Sequence, residues 1–363
     1  MHLRRIWLKD FRSHAEVDVE LVDGLCAVVG DNGLGKSNLL EAIAYLALLE
    51  SFRGAPGDAL IRAGADTAIV RGEVVDEDRV QLIEAELRRV GPNRVLLNRQ
   101  RLQRSRDLLG ALRVVVFAPD DLALLKGGPG ERRTFLDQLL VSVDARNDVV
   151  RSEYDRALRQ RNALLKQTKG RLDEAAQLTL EVWDSKLVES GERLAELRAR
   201  LVEALIPAVA QAYADVAGAA VPVAMRYESP WRAEGLAAAL SAVRTDELRR
   251  GITLVGPHRD DLAIDLDGLP SRTHASQGEQ RSLALALRLA SHRTIEERTG
   301  SAPLLLLDDV FSELDPQRSA ALLRCLPRAQ TFLSTAAGLP EGVAPAQVLH
   351  VEPTGVVGSV GSR

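Results

Sequence analysis

The chain has 363 residues, 46% apolar and 27% charged, enough to bury a core in one large domain or two to three ordinary ones. No apolar run approaches the roughly 20 residues needed to span a bilayer, and the charge-interrupted start MHLRRIWLKDFRSH does not read as a secretion signal, so the expected location is cytoplasmic. A net charge of −4 excludes a globally basic nucleic-acid coat, and the two cysteines, Cys26 and Cys325, exclude a disulfide framework; both stand in apolar contexts that suit buried thiols.

In chain order, LRRIWLKDF and AEVDVEL alternate as β-strands do. LCAVV (25–29) reads as a short buried strand, GDNGLGKSN follows, and LLEAIAYLALL is helical in period. This is G-x-x-x-x-G-K-[ST] in its strand–loop–helix setting, so Gly30, Asp31, Asn32, Gly33, Leu34, Gly35, Lys36, Ser37 and Asn38 form the expected nucleotide-binding loop. Backbone N–H groups would wrap the phosphates, Lys36 would reach the terminal ones, and the Ser37 hydroxyl would ligate Mg²⁺. The chain has only six lysines, and one of them stands here.

TAIVRGEVV and VQLIEAELRRV read as antiparallel strands, and RVLLNRQRLQ as a hairpin turning at Asn98-Arg99. Arg88, Arg89, Arg94, Arg99, Arg101, Arg104 and Arg106 lie in one stretch without an acid, either a solvated face or a candidate DNA surface. From Glu131 to Ile206 the pattern turns helical, with Asp173–Leu205 alone about 50 Å long and interrupted only by Gly191. A second basic group, Arg156, Arg159, Arg161, Lys166, Lys169 and Arg171, lies along it. A mixed segment is expected after Pro207, with VPVAMRYE as a strand and His258 of GPHRDD as a bonded turn residue rather than a catalytic one.

ASQGEQRSLALALRLA (275–290) opens a second long helix. Ser276 and Glu279 make a capping box, but Gly278 is unexplained by it, since glycine weakens a helix by about 1 kcal/mol relative to alanine. LLLLDD (304–309) suits a strand buried on both faces that ends in two acids. Asp308 is the expected magnesium-holding acid, and Asp309 the residue that orients or deprotonates attacking water, which with Lys36 makes the catalytic set. Asp315-Pro316 is a helix start, QTFLSTAA and AQVLHVEP complete the core, and the tail GVVGSVGSR is expected to be loose.

The order of phosphate loop, long insertion, S-x-G-[QE] helix start, LLLLDD and SELD resembles the ABC-type ATPases of chromosome maintenance and DNA repair. PDDLALLKGGPGERRTFLD (119–137), GPHRDD (256–261) and LKDFRSH are similar to the bacterial RecF recombination-repair family. The resemblance implies an α/β fold: an ABC-type P-loop ATPase head, with a mixed sheet around the phosphate-loop helix, a helical second lobe and a short helical arm. The expected division is lobe I at 1–115 and 300–363, with lobe II at 116–299 including the arm (131–206) and the second helix start. ATP and Mg²⁺ are the implied cofactors. Ser276 and Gly278 would touch ATP held by a second copy of the chain, and Arg12 would approach the nucleotide.

The implied function is an ATP-controlled homodimer that binds DNA at single-strand gaps and junctions. It would support RecA loading with RecO- and RecR-type partners, replication, recombination and the SOS response, with slow DNA-stimulated hydrolysis driving release. Glu279 replaces the usual signature glutamine, Ser334 or Thr335 stands where transporter cassettes keep a switch histidine, and no glutamine lies near Asp120, all of which argue against a transporter motor. A condensin-like bridging head is disfavoured by the short arm, and a small-molecule P-loop kinase by the Ser276 helix start.

Overall fold

The computed structural model describes residues 1–77, 79–168, 170–336, 338–353 and 355–360. β1 (His2–Phe11) and β2 (His14–Glu20) form an antiparallel hairpin. A register shift between Leu3 and Arg5 puts Leu3, Ile6 and Leu8 on the buried side although their spacing is not strictly alternate. β3 (Leu25–Val29) leads through the phosphate loop into α1 (Lys36–Leu48), which is buried almost all round. β4 (Thr67–Asp76), β5 (Arg79–Arg88), β6 (Arg94–Leu97) and β7 (Gln100–Arg101) complete a six-stranded antiparallel sheet in the order β2-β1-β4-β5-β6-β7. The expected hairpin at Asn98-Arg99 is present: both residues have positive φ, 51° and 66°, the requirement of a two-residue turn that matches strand twist. β8 (Val114–Phe117) then enters a second sheet.

The chain divides into two compact units, and the second takes Ala123–Pro207 and Pro222–Ala275. It opens with α2 (Ala123–Lys126), α3 (Pro129–Val143), α4 (Asn147–Thr168) and the first part of α5 (Glu174–Ala217). β9 (Val223–Glu228), α6 (Leu236–Arg250), β10 (Asp261–Leu266), β11 (Leu269–Pro270) and α7 (Ser271–His274) follow, with the strands ordered β11-β10-β9. Two expectations change here. α5 does not stop at Pro207, because buried Leu205, Val209, Ala212 and Val216 continue its apolar stripe on both sides of the proline. Gly191 does not interrupt it either: a Cβ there would lie 2.7 Å from Leu236 and 3.1 Å from the Tyr154 ring, so glycine lets those side chains approach the helix.

Arginines knit this unit together. Arg132 donates to both oxygens of Asp261, at 2.7 and 2.9 Å, and to the carbonyls of Leu124 and Gly127. Asp260 accepts from Tyr227 (2.6 Å) and Trp231 (2.7 Å), and the expected bonded turn at His258 is built by Tyr154 (2.6 Å) and the Thr253 carbonyl (3.1 Å). Burial pushes the His258 imidazole down to about 4, so it is neutral at neutral pH.

The first unit comprises Met1–Leu122, Ala208–Val221 and Ser276–Arg363. Its last part holds α8 (Gln277–Thr299), β12 (Leu304–Asp308), α9 (Pro316–Cys325), β13 (Thr331–Thr335), β14 (Gln347–Glu352) and β15 (Gly355–Val360). This compact unit takes in α8, whereas the lobe II expected from sequence runs to residue 299. Leu283, Ala286, Leu287 and Ala290 bury α8 in this unit, where it meets β8, and Arg288 pairs with Asp121 at 2.6 Å.

The second sheet runs β15-β14-β3-β13-β12-β8, parallel from β14 to β8 with β15 antiparallel at one edge. Residues 355–360 of the tail expected to be loose thus form a paired strand, while its last three residues lie outside the described residues. All four leucines of β12 are fully buried. Among the described residues, no helix is long and apolar enough to cross a membrane.

Candidate functional site

The parallel sheet places β3 beside β13 and β13 beside β12, so residues distant in sequence end side by side at its C-terminal edge. The phosphate loop leaves β3 there. Two of its glycines are steric requirements: a Cβ on Gly30 would lie 2.5 Å from the Val351 carbonyl oxygen, and Gly35, at φ 109°, would drive one into Ser13 and His14. Lys36 is only 7% exposed and folds over the loop, donating from Nζ to the carbonyls of Gly30 (2.8 Å) and Asp31 (2.9 Å).

Ser37 donates from Oγ to Asp308 Oδ1 at 2.7 Å, joining the first turn of α1 to the end of β12 across 271 residues. Ser334, opposite Asp308 in the sheet register, donates to the same oxygen at 2.8 Å. Asp308 is 5% exposed. Asp309 takes a left-handed conformation at φ 50°, its N–H donates to Ser334 Oγ at 3.0 Å, and its carboxylate accepts no hydrogen bond from a described residue. Backbone of this kind outside glycine is concentrated at functional sites.

The oxygen pair of Ser37 and Asp308 has the hardness that suits Mg²⁺. Among the described residues no cluster of three or more His, Cys, Asp or Glu side chains could hold a metal alone, so magnesium here would need phosphate and water oxygens as well.

At the second helix start, Ser276 is the N-cap of α8 and the reciprocal box is complete: Ser276 Oγ accepts from Glu279 N at 3.3 Å, and Glu279 accepts from Ser276 N at 2.7 Å. Those hydrogen bonds hold the Glu279 carboxyl below its usual range. Within one chain no hydrogen bond or ion pair joins Ser276 or Gly278 to the phosphate loop among the described residues.

Comparison with known proteins now bears on this geometry. The RecF/RecN/SMC N terminal domain family matches residues 2–335. "DNA replication and repair protein RecF" of Frankia alni is 47% identical over 356 residues, covering 93% of each chain. The protein of that name from Streptomyces avermitilis is 45% identical over 352 residues, covering 93% of this chain and 94% of its own. This chain belongs to the RecF family.

Two solved structures place the fold. The recombination mediator protein RecF-ATP in the RecFOR pathway is 30% identical with a TM-score of 0.91, over 99% of this chain and 98% of that one. An Smc head domain from Pyrococcus furiosus, at 20% identity and a TM-score of 0.55 over 99% and 96% of the two chains, is alike in fold alone. The ABC-type head expected from sequence is thereby established.

Other candidate residues of this RecF-family chain make hydrogen bonds within the fold. Arg12, at φ 53° in the β1–β2 turn, donates to Glu41 at 2.7 and 2.8 Å and to the Ala59 carbonyl at 3.1 Å. Glu41, fully buried on α1, also accepts from Ser51. Asn38 turns its amide toward Ser13 at 2.8 Å, and His14, whose pKa burial lowers, donates from Nε2 to the Gly35 carbonyl at 3.0 Å. The RSH of LKDFRSH is thus a three-point grip on the first turns of α1. Thr335 donates to the Gly338 carbonyl (2.9 Å), whereas Ser334 donates to Asp308.

The arginine stretch is not uniform. Arg88 and Arg94 pair with Glu86 at 2.8 and 3.5 Å, an acid just outside the stretch as read from sequence. Arg89 donates to the carbonyls of Ala65 and Arg62, closing a loop. Arg99, Arg101 and Arg104 are exposed and make no ion pair among the described residues, nor does half-buried Arg106. In the second basic group Arg161 is fully buried and so belongs to the core, and Lys169 lies outside the described residues.

Sequence reasoning missed Ser334 as a partner of Asp308, Glu41 beneath Arg12, and Arg318 beside Gly278. For Ser334 the signal was its place at the end of a strand, which became useful only with the strand order known.

Proposed function

We propose that this RecF-family chain binds ATP with Mg²⁺ at the phosphate loop and that ATP joins two copies head to head. The observation that carries the reading is the direct Ser37–Asp308 hydrogen bond, which assembles the two halves of a P-loop site from opposite ends of the chain. Lys36 would exchange its bonds to the Gly30 and Asp31 carbonyls for phosphate oxygens, and Asp308 would hold magnesium through water. Asp309 is the candidate to orient or deprotonate attacking water, since its carboxylate is uncommitted. Bound magnesium would neutralise phosphate charge.

Ser276 and Gly278 have no role in the chain's own loop, and the reading assigns them to ATP held by a second copy. A ligand that contacts both copies stabilises only the dimer, which makes ATP the switch and hydrolysis the release. In this reading the dimer grips DNA at single-strand gaps and junctions in the cytoplasm. With RecO- and RecR-type proteins it supports RecA loading, replication, recombination and the SOS response. Its similarity to RecF proteins of DNA replication and repair, and to a RecF-ATP structure of the RecFOR pathway, supports the repair role and the RecO- and RecR-type partners.

Sedimentation velocity tests the core of the reading. The chain alone is expected to be monomeric, to dimerise with ATP and Mg²⁺, and to lose that response on Ser276→Arg while still binding ATP. A wild-type chain that stays monomeric at saturating ATP, as a small-molecule kinase would, rejects it.

Exposed Arg99, Arg101 and Arg104 are the residues we assign to DNA phosphates, where contact is salt-dependent and nearly independent of sequence. Replacing all three by alanine is expected to flatten the slope of log affinity against log salt on gapped DNA by about 2–3. An unchanged slope moves the DNA surface elsewhere.

A further inference from the structure

The capping box accounts for Ser276 and Glu279 but leaves Gly278 without a reason, and the structure supplies one. A Cβ at 278 would lie 2.7 Å from Arg318 Nη2 and 3.0 Å from its Cζ and Nη1. The guanidinium therefore rests against the first turn of α8, in space that any other residue at 278 would occupy. We propose that Arg318 is a further phosphate-binding residue of the α8 surface, acting on the ATP held by a second copy of this chain. The inference rests on the two-copy reading above.

The guanidinium is fixed at two of its three nitrogens. Nε donates to Ser282 Oγ at 3.1 Å, one turn along α8 from Gly278, and Nη1 donates to Asp315. Asp315 is itself the N-cap of α9, accepting from the Arg318 N–H at 2.9 Å. Nη2 is the nitrogen without a partner among the described residues, and it is also the nearest to Gly278. The arginine side chain is 33% exposed.

Electrostatics sharpens the point. A cation beside a helix N-terminus sits against the positive end of the dipole and is disfavoured there unless an anion joins it. Within the chain Asp315, and Glu279 in the first turn of α8, offset part of that cost, and the nearby Arg281 is drawn away to the Glu313 carbonyl (2.7 Å) and carboxylate (3.1 Å). Arg318 stays. First-turn N–H groups of a helix have no intrahelical acceptor, and a preset guanidinium nitrogen beside them completes a donor set for a phosphate oxyanion. Because Asp315 belongs to the segment that follows Asp308 and Asp309, Arg318 ties the acid-bearing turn of one chain to the surface it offers its neighbour.

The test uses the full chain. Arg318→Ala is expected to raise the ATP concentration for half-maximal dimerisation in sedimentation velocity by about tenfold or more, the loss of a charge-assisted hydrogen bond. Its affinity for a fluorescent ATP analogue, measured at protein concentrations below dimerisation, is expected to match wild type, because its own phosphate loop is intact. Mixing Arg318→Ala with Lys36→Met leaves one complete site per mixed dimer and is expected to restore dimers that neither variant forms alone. Dimerisation of Arg318→Ala at the wild-type ATP concentration overturns the inference and leaves the two-copy reading standing. So does a weakened monomer affinity, or mixing without recovery. A wild-type chain that never dimerises overturns both.

Discussion

Lys36→Met is expected to abolish ATP binding at working concentrations. The methionine side chain is close to lysine in length and apolar reach, so α1 should keep its place, but the ammonium is lost. Lys36 is 7% exposed, and its ammonium is held 2.8 and 2.9 Å from the Gly30 and Asp31 carbonyls, poised over a loop whose other donors are backbone N–H groups. Charge-assisted hydrogen bonds contribute about 1.5–3 kcal/mol each, so losing the contacts to the terminal phosphates should weaken binding by about 100-fold or more. Isothermal titration with ATP and Mg²⁺ measures it directly. Affinity within about threefold of wild type would place the nucleotide elsewhere. Thermal unfolding of the unliganded variant should change little, which separates a lost ligand contact from a lost fold.

Arg161→Ala is expected to have the largest effect on stability of any arginine change in the second unit. Arg161 is 0% exposed, and it donates to Asp184 (2.6 Å), Glu247 (2.6 Å) and Thr253 (2.9 Å). Glu247 is equally buried and keeps only the Leu254 N–H at 2.8 Å once the arginine is gone. Removing one member of a buried ion pair costs about 3–5 kcal/mol because the remaining charge is stranded. Urea unfolding followed by circular dichroism should show an early transition for residues of this unit, and a change under about 1 kcal/mol would show that Glu247 finds water or a proton instead. Were Arg161 a DNA contact, as its place in a basic run suggests, the same variant would weaken DNA binding and leave unfolding untouched.

The arginines show where reading a chain in one dimension stops being sufficient. Seven of them between Arg88 and Arg106 look equivalent as a string, yet antiparallel pairing of β5 and β6 sets Glu86 opposite Arg94, and Arg88 joins the same acid. Arg89 is drawn to the carbonyls of a loop more than twenty residues away. Of the seven, Arg99, Arg101 and Arg104 are exposed and make no ion pair among the described residues. Arg12 follows the same logic, since an acid beneath it, Glu41, is 29 positions away and invisible to any local pattern.

By itself the sequence determined whatever depends on neighbours along the chain. The phosphate loop needs particular residues at adjoining positions, the leucines of β12 need no partner identity to declare a buried strand, and the capping box is closed by residues three apart. The turn at Asn98-Arg99 was legible for the same reason. The meeting of Ser37 and Asp308 at one magnesium was expected from the paired motifs, whereas tertiary structure alone decided other distant contacts: Ser334 on Asp308, Arg318 against Gly278, the passage of α5 through Pro207, and the pairing of β15. Those contacts follow from strand order and packing, which set energies between residues hundreds of positions apart, whereas periodicity and propensity report only energies within a turn or two.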